Sequence, residues 1–313
     1  MGSSLGLKLE EMFKKNLILR RILVLLVLLG SLVWLAVFSF PKRGLNLVFC
    51  DVGQGDAILL TLGFSQVLID GGPNEKVLDC VAKNMAFFDK KIELVVLTHP
   101  DFDHLTGVVA ILKKYKVDWV LTGPEESDSG VYREFARVLE DLSKRGKTKV
   151  KNPYAGDRFR LGEINFKVLW PEKNWLAERL LFKEQKENLG KVVLGAKTKS
   201  VGLNDFSVVL LAEYQGRKIL LPGDAGEEVI YKFIDNITNL PIDILKFPHH
   251  GSKTGMSLEE LEKLRPKVVV ISVGKNNYGH PAGETLEKIA KVGAKVRRTD
   301  VEGEIKIEVG GQD

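Results

Sequence analysis

The hydrophobic pattern divides the chain into one long apolar stretch near the N-terminus and a region of short alternating runs. Residues 22–40 contain no charged side chain, and these 19 positions are enough for a helix that crosses a bilayer. From residue 41 to residue 313, short apolar runs alternate with amphipathic stretches. The first pattern predicts a membrane anchor, and the second predicts one folded domain that contains both strands and helices.

Strands are predicted where apolar and β-branched residues form short runs, over 45–49, 57–62, 66–69, 92–97, 117–121, 164–169, 207–213, 218–221, 242–247, 268–273 and around Val296 and Ile305. Helices are predicted over 77–87, 105–115, 131–144, 258–264 and from Pro281. This order predicts an α/β fold of two mixed sheets with helices outside. Residues 172–202 are charged and weakly patterned, and we interpret them as an insertion or a cover.

Basic residues lie mainly on one side of the apolar stretch. Five Lys and Arg residues precede residue 22, whereas only Lys42 and Arg43 follow the stretch directly. This bias predicts a short cytoplasmic tail over 1–21, a transmembrane anchor over 22–40 and an extracytoplasmic domain over 41–313. The alternatives are a secretory signal, whose apolar region is usually shorter, and a buried core helix.

The charge balance gives no support for binding of nucleic acid by bulk attraction. The whole chain has 46 Lys and Arg against 41 Asp and Glu, a net charge of +5. Without the residues before residue 22, the balance is 41 against 39, or +2. Because the domain is close to neutral, any recognition of phosphate must be local.

Two cysteines, Cys50 and Cys80, do not form a metal-binding motif. In an oxidising compartment they could pair with each other. The expectation from the sequence is nevertheless two buried free thiols.

The loop after the strand predicted over 92–97 contains four potential metal ligands: His99, Asp101, Asp103 and His104. Ligands on so short a loop cannot all reach one small cation. We therefore expect His99 and Asp101 to bind one metal, and Asp103 and His104 to bind a second. Two metals about 3.5–4 Å apart can hold a shared hydroxide and stabilise the attacking and leaving oxygens of a hydrolysis.

Later loops supply further polar residues at the ends of predicted strands. Asp224 is a candidate bridging carboxylate, although a helix N-cap is an equal alternative. Of the adjacent pair, we expect His249 to bind metal and His250 to orient it or to contact substrate as a catalytic group. His280 precedes a predicted helix and is a candidate proton donor, metal ligand or helix cap.

The residues after the paired histidines suit a phosphate group. Ser252, Lys253 and Thr254, together with backbone N–H groups, could bind a phosphate oxygen of a substrate. Asn204 is a further candidate for contact with a substrate phosphate. All five histidines of the chain lie in the loops described above, and none is left for an ordinary surface or core position. That concentration favours a metal site.

The loop histidines also carry a resemblance to a known family. His99-x-Asp101-x-Asp103-His104 is similar to the His-x-His-x-Asp-His signature of the metallo-β-lactamase superfamily, with Asp101 in place of the middle histidine. Together with five further motifs, it resembles the hydrolase domain attached to DNA-uptake channels of the ComEC family, over about residues 45–308. The further motifs are Asp51-Val-Gly-Gln-Gly-Asp56, Leu-Ile-Asp70-Gly-Gly, Leu-x-Gly-Asp224, His-His-Gly-Ser-Lys253 and Tyr-Gly-His-Pro281.

The resemblance implies a four-layer α/β-β/α sandwich with two divalent metals at one edge of the sheets. It also implies that Asp70 steadies a ligand histidine. For Asp56 a loop cap is the plain alternative, and we assign it no catalytic role. No histidine lies between residues 105 and 223, where many members of the superfamily have a ligand. One metal is therefore expected either to be held more weakly or to be completed by water, Asn204 or a later histidine. The carboxylate of Asp101 makes manganese plausible beside zinc.

These observations predict a dinuclear metal-dependent hydrolase, with a DNA phosphodiester as the leading substrate. One alternative keeps the site but changes the substrate to cell-envelope phosphodiesters or to small esters and lactones. An alternative of another class is an inactive scaffold or binding domain of a membrane machine. Because the chain has one predicted membrane helix, a pore for DNA would require a separate channel subunit.

Overall fold

The computed structural model describes residues 3–39, 44–181, 187–197, 202–237 and 241–310. The chain forms two compact units, Met1–Pro41 and Lys42–Asp313. The first unit is helix α1 (Ser3–Ser39), in which the segment Asn16–Leu35 is long and apolar enough to cross a membrane, with a mean hydropathy of 2.3. This segment begins before the predicted residue 22 and includes Arg20 and Arg21.

The second unit contains two sheets of seven strands each. The first sheet has the order β14-β1-β2-β3-β4-β5-β6, in which β14, β1, β2 and β3 are antiparallel and β3 to β6 are parallel. Its strands are β1 (Leu45–Phe49), β2 (Ile58–Leu62), β3 (Ser65–Ile69), β4 (Lys91–Leu97), β5 (Lys116–Thr122), β6 (Lys149–Lys151) and β14 (Ile305–Val309).

The second sheet has the order β13-β12-β11-β10-β9-β8-β7, antiparallel from β7 to β10 and parallel from β10 to β13. Its strands are β7 (Arg158–Leu161), β8 (Ile164–Trp170), β9 (Val209–Tyr214), β10 (Arg217–Leu221), β11 (Ile244–Lys246), β12 (Val268–Ile271) and β13 (Lys295–Arg298). The predicted pair of mixed sheets is therefore confirmed.

Helices cover the outer face of each sheet. They are α2 (Lys76–Asn84), α3 (Phe102–Lys114), α4 (Gly130–Lys144), α5 (Lys173–Arg179), α6 (Glu227–Ile234), α7 (Leu258–Leu264), α8 (Gly283–Lys291) and α9 (Thr299–Glu302). One buried cluster, with Leu47 and Phe166 among its members, lies between the sheets. Two others lie between a sheet and its helices. The three apolar layers give the four-layer arrangement that was predicted.

Several element boundaries differ from the prediction. Strands β6 and β7 were not predicted, because each has few apolar residues and lies at a sheet edge. Helix α2 ends at Asn84, whereas the prediction extended it to residue 87. At this end the Asn84 side-chain amide donates to the carbonyl of Cys80 at 2.8 Å.

The prediction of two free thiols is wrong, because Cys50 and Cys80 form a disulfide. Cys50 follows β1 and Cys80 lies in α2. Both side chains are buried in the same apolar cluster between the first sheet and its helices. Packing of α2 on the sheet thus brings together two sulfur atoms that are 30 positions apart.

The described parts of residues 172–202 pack on the domain. Leu176, Leu180 and Leu189 are buried in the apolar cluster of the second sheet. The Ala196 N–H donates to the carbonyl of Pro124, and the Ala196 carbonyl accepts from the Glu126 N–H. These two hydrogen bonds join the segment to the loop after β5.

Candidate metal centre

The residues of the candidate site meet where strands of both sheets end. His99, Asp224 and His250 follow the carboxyl ends of β4, β10 and β11, and Asp70 follows β3. Parallel neighbours β3–β4 and β10–β11 place these ends at one edge of each sheet, where α/β folds commonly position their ligands.

Asp70 is the centre of a buried hydrogen-bond network behind the site. Its Oδ2 lies 2.8 Å from Nδ1 of His104 and accepts from the Thr98 hydroxyl at 2.7 Å, while its Oδ1 accepts from the Thr98 N–H at 2.8 Å. Facing a carboxylate, Nδ1 of His104 carries the hydrogen. Nε2 of the neutral ring therefore points a lone pair away from Asp70.

His99 and His250 are oriented in the same manner. Nδ1 of His99 lies 3.0 Å from the Thr98 hydroxyl oxygen, which already donates to Asp70 and so accepts from the ring. Nδ1 of His250 lies 2.9 Å from the carbonyl of Ser272, which can only accept. In both rings the lone pair of the neutral form is again on Nε2.

These Nε2 atoms face two carboxylates across a small space. Oδ2 of Asp224 lies 3.3 Å from Nε2 of His104 and 3.2 Å from Nε2 of His250. Nε2 of His250 also lies 3.2 Å from Oδ2 of Asp103. Within the part of the chain that the structure describes, Nε2 of His99 and of His104 is buried without a hydrogen bond. Orphaned imidazole nitrogens beside carboxylates fit a divalent transition metal.

In the described chain, four groups of three residues have ligand atoms within 4.8 Å of one another. Two of them consist of these inward-facing side chains: His99, His104 and Asp224, and Asp103, His104 and His250. The other two include Asp56, one with Asp224 and His250 and one with Asp70 and His104. Asp101 is more exposed, and its Oδ2 lies 3.5 Å from Nε2 of His99. The assignment of Asp101 and Asp103 to separate metals stays a prediction.

Electrostatic coupling within the site is strong. Burial alone would lower the pKa of His250, but the carboxylates of Asp224 and Asp103 outweigh it and raise this pKa to about 10. The pKa of Asp103 is lowered despite its burial, because His250 and His104 favour its ionised form. Without metal the site is a cluster of ion pairs, so a metal must displace protons from the histidines.

His249 and His250 occupy different places. Both have left-handed backbone angles, with φ of 50° and 51°, a conformation that is uncommon for residues other than glycine. His250 reaches the buried cluster, whereas Nε2 of His249 lies 3.5 Å from the amide nitrogen of Asn204. Burial lowers the pKa of His249. These contacts favour His250 as the ligand, the reverse of the expected assignment.

His280 lies beside His249, with ring centroids 5.5 Å apart. Its backbone is fixed by the Asn276 side chain, which accepts from its N–H at 3.0 Å and donates to its carbonyl at 2.8 Å. Burial lowers the pKa of His280, and its Nδ1 makes no hydrogen bond in the described chain. It thus lines the site as an unengaged imidazole.

Ser252 and Lys253, two of the proposed phosphate contacts, differ in accessibility. Ser252 is buried, and its hydroxyl lies 3.1 Å from that of Thr254. Lys253 is exposed. These positions favour a structural role for the Ser252 hydroxyl and leave Lys253 as the accessible cation of the pair.

Sequence reasoning missed two buried charged residues. Asp56, expected to cap a loop, is buried against the site and forms an ion pair with Lys246. Lys246 lies in β11 and is 0% exposed. The signal was a lysine inside the apolar run 242–247, since a lysine is almost never fully buried without a partner.

Comparisons with known proteins agree with this geometry. The family model described as "Metallo-beta-lactamase superfamily" matches residues 50–273. "ComE operon protein 3" of Bacillus subtilis is 29% identical over 278 residues, which are 82% of this chain and 32% of that protein. "Recombination protein 2" of Haemophilus influenzae is 25% identical over 265 residues, which are 82% of this chain and 28% of that protein.

The chain thus spans about a third of the length of these curated relatives. Among solved structures, the metallo hydrolase Igni18 of the archaeon Ignicoccus hospitalis matches with a TM-score of 0.50 and 16% identity. The match covers 84% of this chain and 99% of that one. At this identity the likeness shows the fold.

Proposed function

Since this chain belongs to the metallo-β-lactamase superfamily, we propose that it is a metal-dependent phosphodiesterase that cleaves DNA in a DNA-uptake system. The observation that carries the hydrolase proposal is the convergence of the Nε2 atoms of His104 and His250 on Oδ2 of Asp224, with Asp103 beside them. The DNA-uptake context is supported by the names of the curated relatives, among them "Competence protein ComA" of Neisseria gonorrhoeae, and DNA as substrate is our extension of that context.

The buried histidines and carboxylates would hold two divalent ions, zinc or manganese. Such ions, when bound, activate water and neutralise charge that develops on a phosphoryl group. Asp103 is partly exposed and would orient the attacking water through a hydrogen bond. Asp224, buried between His104 and His250, would be the carboxylate shared by both ions.

Proton transfer to the leaving oxygen would fall to His280 or His249. Both rings lie at the mouth of the site, and neither makes an ion pair with the carboxylates of the buried cluster in the described chain. Because burial lowers the pKa of both, only a minor protonated fraction would donate at neutral pH. Lys253 would contact a non-bridging phosphate oxygen.

The disulfide and the apolar helix support an extracytoplasmic position for the domain. Structural disulfides form and persist mainly in oxidising compartments. The basic residues before the helix favour a cytoplasmic N-terminus. In this proposal, α1 anchors the hydrolase in the membrane and a separate channel subunit takes up the DNA.

One observation favours a smaller substrate. A cavity of about 990 Å³ beside Asp224 and His249 has a predominantly acidic wall. The charged residues of that wall are Asp205, Glu227, Glu228, Glu259 and Glu260, against Lys232 and Lys263. Such a wall repels a polyanion, so a cell-envelope phosphodiester or a small ester is the second candidate.

The test uses the full chain in detergent, stripped of metal and resupplied with Mn²⁺ or Zn²⁺. Linear and circular DNA, single- and double-stranded, are incubated with wild type, Asp103→Asn and Asp141→Asn. Asp141 is an exposed carboxylate of the outer helix α4, outside every motif of the site, and is the matched control. We expect metal-dependent cleavage by wild type and by the control, and loss of at least 100-fold in Asp103→Asn.

The remaining outcomes separate the alternatives. Turnover of a chromogenic phosphodiester without cleavage of any DNA contradicts DNA as substrate and favours the smaller substrate. If metal binds but neither substrate is turned over, the domain is a scaffold and the proposed hydrolase activity is wrong.

A further inference from the structure

Lys246 is a buried cation in the wall of the metal site. Its ammonium group donates to the carbonyl of Gly223 at 2.8 Å and to Oδ1 of Asp224 at 3.1 Å, and it forms an ion pair with Asp56. Lys246 is 0% exposed and Asp56 is 1% exposed. The ammonium group thus links the loop that precedes β2, through Asp56, to the turn that follows β10.

This contact decides which oxygen of Asp224 is available to a ligand. Oδ1 of Asp224 is taken by Lys246, whereas Oδ2 lies within 3.3 Å of Nε2 of both His104 and His250. The turn itself is also fixed, because the ammonium group holds the carbonyl of Gly223, a residue with φ of 58°. One lysine therefore contacts both the backbone and the side chain of this corner, beside the bond from the Asp224 N–H to the Ser207 hydroxyl.

Asp56 also has an oxygen within 4.8 Å of ligand atoms of Asp224 and His250, but the histidine nitrogens within 4 Å of it are Nδ1 atoms. Its oxygens lie 3.6 Å from Nδ1 of His250 and 3.9 Å from Nδ1 of His104, the ring atoms that already face Ser272 and Asp70. Its contact with Lys246 is the one that satisfies charge. Asp56 is thereby the counter-ion that keeps a lysine beside a carboxylate of the site.

We propose that Lys246, held by Asp56, is a positioning residue that restricts Asp224 to binding metal through Oδ2. The inference rests on the proposed metal site and is independent of DNA as substrate. A stabilising role alone does not explain the pair, because apolar residues of similar size are often at least as stable as a buried ion pair. Residues that orient ligands from behind typically change metal affinity by about 10–100-fold when replaced.

The experiment compares the full chain in detergent with Lys246→Met and with the double variant Asp56→Asn/Lys246→Met. Two quantities are measured: the Kd for Mn²⁺ by titration calorimetry, and the Tm of the metal-free protein. Methionine keeps the length and volume of the lysine stem without its charge. The double variant also removes the carboxylate that would otherwise be buried without a partner.

We expect the Kd for Mn²⁺ to rise about 10–100-fold in Lys246→Met, together with a lower metal-free Tm. In the double variant the Tm should return toward that of wild type while the Kd stays raised, since Asp224 still lacks its donor. If the double variant recovers both quantities, or if either variant binds Mn²⁺ like wild type, Lys246 is only structural and the inference is wrong.

The proposed function can fail separately. A wild-type protein that binds Mn²⁺ but cleaves no DNA contradicts DNA as substrate, and the comparison of Kd values still decides the role of Lys246. A wild-type protein that binds no divalent ion overturns the positioning role directly.

Discussion

Oδ2 of Asp70 lies 2.8 Å from Nδ1 of His104, although 34 positions separate the two residues in the sequence. The same carboxylate accepts two hydrogen bonds from Thr98, so it joins the ends of β3 and β4 to the first turn of α3. Gly71 permits this approach, because a Cβ atom there would overlap the backbone of Gly107 and Val108 in α3. One buried acid therefore orients a ring that faces the site.

Replacement of Asp70 by Asn should weaken metal binding by about 10–100-fold. Asparagine tolerates the φ of 58° at this position. The Asp70 carboxylate accepts hydrogen bonds from the Thr98 N–H, the Thr98 hydroxyl and Nδ1 of His104, and the NH₂ group of asparagine would place a donor against at least one of these donors. Calorimetric titration with Mn²⁺ measures the effect. Asp141→Asn, on the exposed surface of α4, is the control and should bind like wild type; equal affinity in both variants would contradict the role of Asp70.

Replacement of His250 should remove bound metal, whereas replacement of His249 should remove only turnover. Asn can adopt the left-handed conformation of both positions, so His249→Asn and His250→Asn form a matched pair. We expect His250→Asn to lose bound metal, because its Nε2 lies 3.2 Å from oxygens of Asp103 and Asp224. His249→Asn should keep its metal and lose turnover. Metal content by elemental analysis decides, and the opposite result would restore His249 as the ligand.

Reduction of the disulfide between Cys50 and Cys80 should lower stability. Closing a loop of 30 residues contributes about 3–4 kcal/mol in the chain-entropy model. Dithiothreitol should therefore lower the Tm of wild type by several degrees or more. The variant Cys50→Ala/Cys80→Ala should start from a lower Tm and not respond to the reductant. An unchanged wild-type Tm in reductant would show that the disulfide does not stabilise the domain.

The buried carboxyl group of Glu125 should lower the free energy of unfolding as pH rises from about 4.5 to about 8. It is buried, neither carboxylate oxygen makes a hydrogen bond in the described chain, and burial raises its pKa from 4.5 to about 8. Between these values the folded protein binds more protons than the unfolded chain, so this group destabilises the fold progressively as pH increases through the window.

The variant Glu125→Gln removes that titration. Its Tm should differ little from that of wild type near the lower end of the window and exceed it by several degrees at about pH 8. Thermal scans of the metal-free protein across this window measure the difference. A difference in Tm that is constant with pH would show that Glu125 does not ionise with a raised pKa.

The sequence by itself determined the two-sheet architecture and most of the residues around the site. Apolar runs and amphipathic stretches predicted the central strands and helices, because burial of one face imposes a period on the sequence. The loop residues His99, Asp103 and His104, with Asp224 and the paired histidines, stood out because each follows a predicted strand. The edge strands β6 and β7 escaped, since they are only three and four residues long, and so short an alternation of charged and apolar residues does not establish a period.

Only the tertiary structure decided which of these residues meet. It separated His250 from His249, because the ring of His250 lies against the buried carboxylates and Nε2 of His249 lies near the amide of Asn204. It paired Cys50 with Cys80 through the packing of α2 on the first sheet. It also placed Asp56 against Lys246, 190 positions apart. Local sequence patterns report the burial of a residue, whereas contacts between distant residues depend on how the elements pack.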